Sequence, residues 1–283
     1  MSDTLTLVER DVVYRRDGDR AWLAHVYAPA GVEEYPRPLL VDVHGGAWSG
    51  GTRFAGERVD RALVEALGIV VVAIDFRLAP DDPYPAMMQD LNYAVRWVKA
   101  HAAGLGGRPD GVGAIGWSSG GHMAILGAVR PYHPPYQVLP LAGATAGIQD
   151  ATLAYVVACW PPVDPLARYR FAEQTGRADL VEKSEGCFLT EDAMREASAE
   201  RVVAAGEAQT LPPTLIVQGT ADANIPLPMI ERFAAACRAA GGPLQLEIFE
   251  GQRHGFISRP GPDADRALSV ITDFVARHAP ARP

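Results

Sequence analysis

Gly116-Trp117-Ser118-Ser119-Gly120-Gly121-His122 sets a hydroxyl between glycines, after an apolar run at 112–115 and before the helix-like Met123-Ala124-Ile125-Leu126. At a strand-to-helix junction, a G-x-S-x-G pattern turns the backbone sharply and holds the serine oxygen above a sheet edge, at a helix N-terminus. The chemistry open to such an oxygen is nucleophilic attack on an acyl carbon. Ser118 is therefore the candidate nucleophile. Ser119 is the rival hydroxyl, but it lies one residue off the pattern and is expected to contribute its backbone N–H. A serine hydroxyl attacks poorly at its ordinary pKa, so a base must take its proton and a carboxylate must orient that base.

In the α/β-hydrolases, whose serine motif this one resembles, the chain order is nucleophile, acid, base. Of seven histidines, 133, 254 and 278 follow the motif helix. His254 stands in Glu250-Gly251-Gln252-Arg253-His254-Gly255-Phe256, a glycine-flanked loop after the last apolar run. His133 lies in a proline-rich stretch and His278 in the closing helix; both are expected on the solvated surface, which leaves His254 as the candidate base. Asp222, in Gly219-Thr220-Ala221-Asp222-Ala223-Asn224-Ile225-Pro226, directly follows the run at 215–218. Its competing role is a turn or cap residue for a helix beginning near Pro226. It is favoured as the acid over Asp164, which also follows a strand end, in Cys159-Trp160-Pro161-Pro162-Val163-Asp164-Pro165. A third element, His44-Gly45-Gly46-Ala47-Trp48-Ser49-Gly50-Gly51, closes the run at 39–43. Acyl transfer creates an oxyanion, and backbone N–H groups at Gly45, Gly46 and Ser119 would receive it.

These residues need a scaffold that brings distant loops to one edge. The first thirty residues alternate apolar and polar, as two antiparallel strands joined at Arg16-Asp17-Gly18-Asp19 would. Continuous apolar runs follow at 39–43, 69–74, 112–117, 155–159, 214–217 and 244–249, the pattern of strands covered on both faces. Met87, Leu91, Ala94, Val95 and Val98 share one helix face; Ala267, Leu268, Ile271, Phe274 and Val275 mark the closing helix. The expectation is an α/β fold, a mostly parallel eight-stranded sheet flanked by helices, as one domain over 1–283. Two stretches interrupt it: a Pro/Gly-rich excursion at 131–150, and two polar helix-like pieces within 163–211, expected to form a small helical cap.

Together these motifs resemble the α/β-hydrolase superfamily, and within it the hormone-sensitive-lipase-like carboxylesterases. The matching pieces are HGGAW at 44–48, DFRLAP at 75–80 with Tyr84-Pro85-Ala86, GWSSGG at 116–121, Asp222, and His254-Gly255-Phe256. The resemblance implies a Ser118–Asp222–His254 triad, an oxyanion hole of Gly45, Gly46 and Ser119, and no cofactor. Ala47 stands where that family usually has a third glycine, and Trp117 where its GDSAGG elbow has aspartate. HGGxW without an N-terminal helical cap looks like the branch containing feruloyl and acetyl esterases and kynurenine formamidases. The implied activity is hydrolysis of short- to medium-chain or aryl carboxylic esters through an acyl-enzyme. The alternatives are an arylformamidase or other amidase, and a non-catalytic binding protein. Trp48, Trp117, Trp160 and Phe256 adjoin the motifs and could wall an apolar acyl or aryl pocket; each could equally be core.

Composition narrows the remaining options. With 26 Lys+Arg against 34 Asp+Glu in 283 residues, the net charge of −8 leaves no basic surplus to neutralise phosphates, which argues against a nucleic-acid partner. Cys159, Cys187 and Cys237 are widely spaced, so neither a metal site nor a disulfide framework is expected. The first twenty residues carry charges throughout and no apolar stretch is long enough to span a membrane, so a cytoplasmic, membrane-free protein is expected. A homodimer is compatible with the sequence.

Overall fold

A computed structural model describes residues 6–31, 36–141 and 150–279. Part of the Pro/Gly-rich excursion expected at 131–150 lies outside the described residues. Two antiparallel strands open the chain, β1 (Leu7–Asp17) and β2 (Arg20–Pro29), turning at Gly18-Asp19. Six more follow: β3 (Leu39–Val43), β4 (Val70–Ile74), β5 (Gly113–Trp117), β6 (Val156–Cys159), β7 (Thr214–Gly219) and β8 (Leu244–Phe249). They form one sheet in the order β1-β2-β4-β3-β5-β6-β7-β8, parallel from β4 onward. Every residue of β3 to β7 is buried, which explains their largely apolar sequences; Asp42 of β3 and Thr214 and Gln218 of β7 are the polar residues that share this burial.

Helices cover both faces. α1 (Glu57–Leu67) and α9 (Pro262–His278) enclose one apolar core through Leu63, Val64, Ile271 and Phe274. On the other face, α2 (Ala86–Ala100), α3 (Ser119–Val129) and α8 (Leu227–Ala239) contribute Leu91, Val95, Leu126 and Phe233 to a second core. Strand order reverses direction at β3, which pairs with β4 on one side and β5 on the other. In open α/β sheets the crevice at such a reversal, beyond the carboxyl ends of the strands, is where ligands bind. The segments carrying residues 44–46, 118, 222 and 254 all leave the sheet at that end.

Between β6 and β7 the chain makes four helices where the sequence suggested two: α4 (Pro165–Gln174), α5 (Ala178–Phe188), α6 (Glu191–Glu196) and α7 (Ala199–Ala204). Short polar-faced helices carry too few turns for a periodicity to register, so their boundaries come from caps. Asp164 caps α4 by accepting from Leu166 and Ala167 N–H at 3.1 Å, and Thr190 and Ser198 cap α6 and α7.

A pair of acids lies inside the fold. Asp42 of β3 and Asp60 of α1 are both buried, and the Trp117 indole N–H donates to Asp42 Oδ1 at 2.8 Å. A Cβ added at Gly56 would lie 2.1 Å from Asp42 Oδ2 and 3.0 Å from Asp60 Oδ2, so the two carboxyls crowd one point. The Asp60 oxygens meet no protein donor, and two buried carboxyls this close disfavour each other's ionisation. Burial pushes both pKa values up, Asp60 further than Asp42. The folded chain therefore binds a proton that the unfolded chain releases above about pH 4, and stability from this pair falls as pH rises toward the raised folded values. Asp60→Asn supplies a permanent donor to Asp42. It should stabilise the protein by on the order of 1 kcal/mol at pH 8 and flatten the decline of Tm above pH 5, measured by calorimetry across pH.

Candidate active site

Ser118 occupies the turn between β5 and α3 with φ 51° and ψ −116°, a conformation that a side chain adopts only under constraint. Two contacts impose it. Ser118 N–H donates to Cys159 O at 2.9 Å, tying the turn to β6. Behind the turn, a Cβ on Gly120 would stand 2.0 Å from Val43 O and 2.4 Å from His44 O, so α3 meets the end of β3 at a distance only glycine permits.

β7 and β8 bring in the other two groups. Their register ends at Gly219↔Phe249, and Ala221 N–H donates to Gln252 O at 3.0 Å, joining the loops that follow. His254 Nδ1 lies 2.8 Å from Asp222 Oδ2, and its Nε2 lies 3.0 Å from Ser118 Oγ. A carboxylate accepts only, so Nδ1 carries the proton toward Asp222 and Nε2 is left to receive one from Ser118. Asp222 also fills the turn role read from the sequence, since its Oδ1 accepts from Asn224 N–H at 2.8 Å and Ile225 N–H at 2.9 Å. The two roles cooperate: the turn aims the carboxylate and leaves Oδ2 for the imidazole. Gln218, fully buried on β7, adds an amide donor 3.2 Å from Oδ2. Asp164, the rival acid, is the cap of α4.

The glycine segment after β3 folds beside the serine. Gly46 has φ 120°, and a Cβ there would overlap Gly50 O at 2.2 Å; Ala47 and Trp48 follow at φ 53° and 60°. Trp48 N–H donates to Ser119 Oγ at 3.2 Å, pinning this segment to the first residue of α3. Among the described residues, no backbone carbonyl takes up the N–H groups of Gly45, Gly46 or Ser119. Inside the loop His44 donates from Nδ1 to Gly45 O at 2.7 Å and stacks on Phe76, and burial lowers its pKa and keeps the ring neutral.

The four aromatics fall in different surroundings. Trp160 packs on His254 and Phe256 with ring centres 5.8 and 5.6 Å away, and on Trp117 at 6.0 Å. Phe256 is half-buried and, with His254, helps line a cavity of about 670 Å³ within 251–264. The Trp117 indole points its N–H at the buried Asp42. Trp48 is 1% exposed; its indole N–H donates to His122 Nδ1 at 3.2 Å, and its ring meets Phe188 edge-on at 4.9 Å. His133 and His278, expected at the solvated surface, are half-buried, His133 2.9 Å from Glu196 and His278 against Phe274.

Sequence reasoning missed His122. It is fully buried one turn after Ser118, and its Nε2 donates to Ala197 O between α6 and α7 at 2.8 Å. Burial lowers its pKa to about 4, so it stays a neutral bridge between these helices and Trp48. The signal was its place at the end of the serine motif.

No group of three or more His, Cys, Asp or Glu among the described residues is arranged to hold a metal ion. No helix among them is long and apolar enough to cross a membrane.

A family model described as BD-FAE matches residues 24–236. Among curated relatives, the esterase LipC of Mycobacterium tuberculosis is 28% identical over 283 residues, covering 96% of this chain and 68% of its own length. The probable carboxylic ester hydrolase LipM of the same organism is 27% identical, covering 87% of this chain and 57% of its own. Among solved structures, the carboxylesterase EstE1 from a metagenomic library superposes with a TM-score of 0.77 at 25% identity, over 97% of this chain and 90% of that one. Esterase 2 of Thermogutta terrifontis, phosphorylated by paraoxon, superposes with a TM-score of 0.74 at 25% identity, over 96% and 97%. The fold is that of the α/β-hydrolase esterases.

Gly46→Ala must displace the loop that carries the unpaired N–H groups. It should lower the rate on an activated ester by on the order of 10²–10³ while the circular dichroism spectrum stays native.

Proposed function

The chain belongs to the BD-FAE family, and from that premise we propose that it is a serine carboxylesterase. The observation that carries this reading is the unbroken line from Asp222 Oδ2 to His254 Nδ1 at 2.8 Å and from His254 Nε2 to Ser118 Oγ at 3.0 Å. His254 takes the Ser118 proton as Oγ bonds to the ester carbonyl carbon. The carbonyl π electrons move onto oxygen, which accepts hydrogen bonds from Gly45, Gly46 and Ser119 N–H. Collapse of this intermediate expels the alkoxide, which takes the proton back from His254 and leaves an acyl-Ser118. Water, deprotonated by His254, then releases the acid. Asp222 holds the imidazole in its working tautomer throughout.

The similarity to esterases supports ester over amide substrates. That the Thermogutta esterase 2 is phosphorylated by paraoxon supports a nucleophilic mechanism for this chain as well. Trp160 and Phe256, against His254, are the aromatics best placed to meet an acyl or aryl group. Trp48 and Trp117 act from within, by bracing the two loops. In this reading α4–α7 form the cap over the site. Three buried free thiols suit a reducing, cytoplasmic setting.

Hydrolysis of p-nitrophenyl acetate, butyrate and octanoate tests the proposal. Ser118→Ala should lose at least about 10³-fold in kcat/KM, and equal rates in both proteins would contradict it. Asp222→Asn should lose on the order of 10²–10⁴ in kcat with little change in KM. Turnover of N-formylkynurenine well above that of every ester would shift the assignment to an amidase.

A further inference from the structure

Arg168, on α4, is a buried cation that the fold leaves underserved. It is 3% exposed, and a guanidinium has five N–H donors to satisfy. Nη1 donates to Ser184 Oγ at 2.9 Å, and that hydroxyl passes its own proton to Leu180 O at 2.8 Å. Nε meets no acceptor. Among the described residues no carboxylate lies within ion-pair distance of it. The two carboxylates whose fields reach it are already engaged: Asp179 by Arg177, with both contacts at 2.9 Å, and Asp222 by His254 and two backbone N–H groups. Burial lowers the Arg168 pKa to about 10, so it still carries its charge at neutral pH.

The position of this cation matters. Its guanidinium carbon stands 5.4 Å from the centre of the Trp48 ring. The backbone N–H of Trp48 binds Ser119 Oγ, and its indole binds His122, one turn beyond Ser118. A positive charge is therefore held one side chain away from the segment proposed to receive the oxyanion. Buried charges are otherwise paired, because desolvation without a partner costs several kcal/mol. A partner that arrives with the substrate resolves that cost.

We propose that Arg168 receives an anionic group of the substrate, and that the preferred esters carry a carboxylate a few bonds from the scissile carbonyl, as monoesters of short dicarboxylic acids do. This rests on the ester-hydrolysis reading above and names its substrate class. Bidentate pairing with a carboxylate would employ Nε and Nη2, the edge opposite the Ser184 contact. Arg168 is then a specificity-determining residue with no part in proton transfer.

The test separates binding from turnover. In the Ser118→Ala protein, calorimetric titration compares monomethyl glutarate with methyl valerate, which has the same chain length and no charge. The charged ester should bind at least tenfold more tightly. Adding Arg168→Met should erase that ratio, and Arg168→Lys should retain part of it. Equal affinities in Ser118→Ala alone, or a tenfold ratio that survives Arg168→Met, would overturn the proposal. A purely structural arginine would weaken both ligands together and leave the ratio intact, which counts against it as well. Should Arg168→Met not fold, the ratio in the parent and its change in Arg168→Lys still decide. Turnover of p-nitrophenyl butyrate by the unmodified protein reads the esterase assignment separately, since its absence would sink that assignment without changing the binding ratio.

Discussion

The contact of Gly120 with the end of β3 is the constraint on which the rest of the site depends. A Cβ there would lie 2.0 Å from Val43 O, so the first turn of α3 rests directly on the strand that leads into the glycine segment. Three consequences follow from this one approach. Ser118 is forced into its left-handed turn, Ser119 comes within reach of Trp48 N–H, and Gly45 lies so near that a Cβ there would stand 3.3 Å from Ser118 Cβ. The strain at Ser118 costs on the order of 1–3 kcal/mol. Pairing of β5 with β3 and β6, whose residues are wholly buried, holds it in place.

The second layer of organisation couples the inserted helices to this centre. Trp48 lies between Phe188 of α5, Arg168 of α4 and His122 of α3, and His122 in turn holds Ala197 O. Arg177 reaches from the start of α5 to Asn224 Oδ1 at 2.9 Å, beside the turn that aims Asp222. The glycine segment after β3 and the turn of Asp222 thus both touch the insertion, and a shift of these helices would be felt by both. A neutral histidine suits the bridging task, because a buried imidazolium would add a second uncompensated charge close to Arg168.

Much of this was legible in the sequence, for identifiable reasons. Buried parallel strands show as apolar runs, and β3 to β7 lie where those runs stand. The run at 244–249 also forms a strand, but β8 is the sheet's edge, half-exposed and carrying Gln245 and Glu247, and is not covered on both faces. The serine motif, the glycine segment and the loops of Asp222 and His254 are local signals, readable because each needs glycines at fixed offsets. What stayed hidden depends on contacts between distant residues. His122 meets partners 74 and 75 residues away, and Arg168 is buried only because four short helices fold over it. Asp164 and Asp222 both follow strand ends and look alike as sequence. They part in three dimensions: one spends its carboxylate on α4, while the other keeps an oxygen for His254.

The central claim is that Ser118 forms a covalent acyl intermediate relayed through His254. Rapid mixing with p-nitrophenyl butyrate, acid quench and peptide mass spectrometry tests it most directly. The account predicts a burst of p-nitrophenol close to one equivalent per chain under conditions where deacylation is slower than acylation, with the butyryl group on the peptide at Ser118. An adduct at Ser119, or steady ester turnover with no acyl group on the protein, would contradict it.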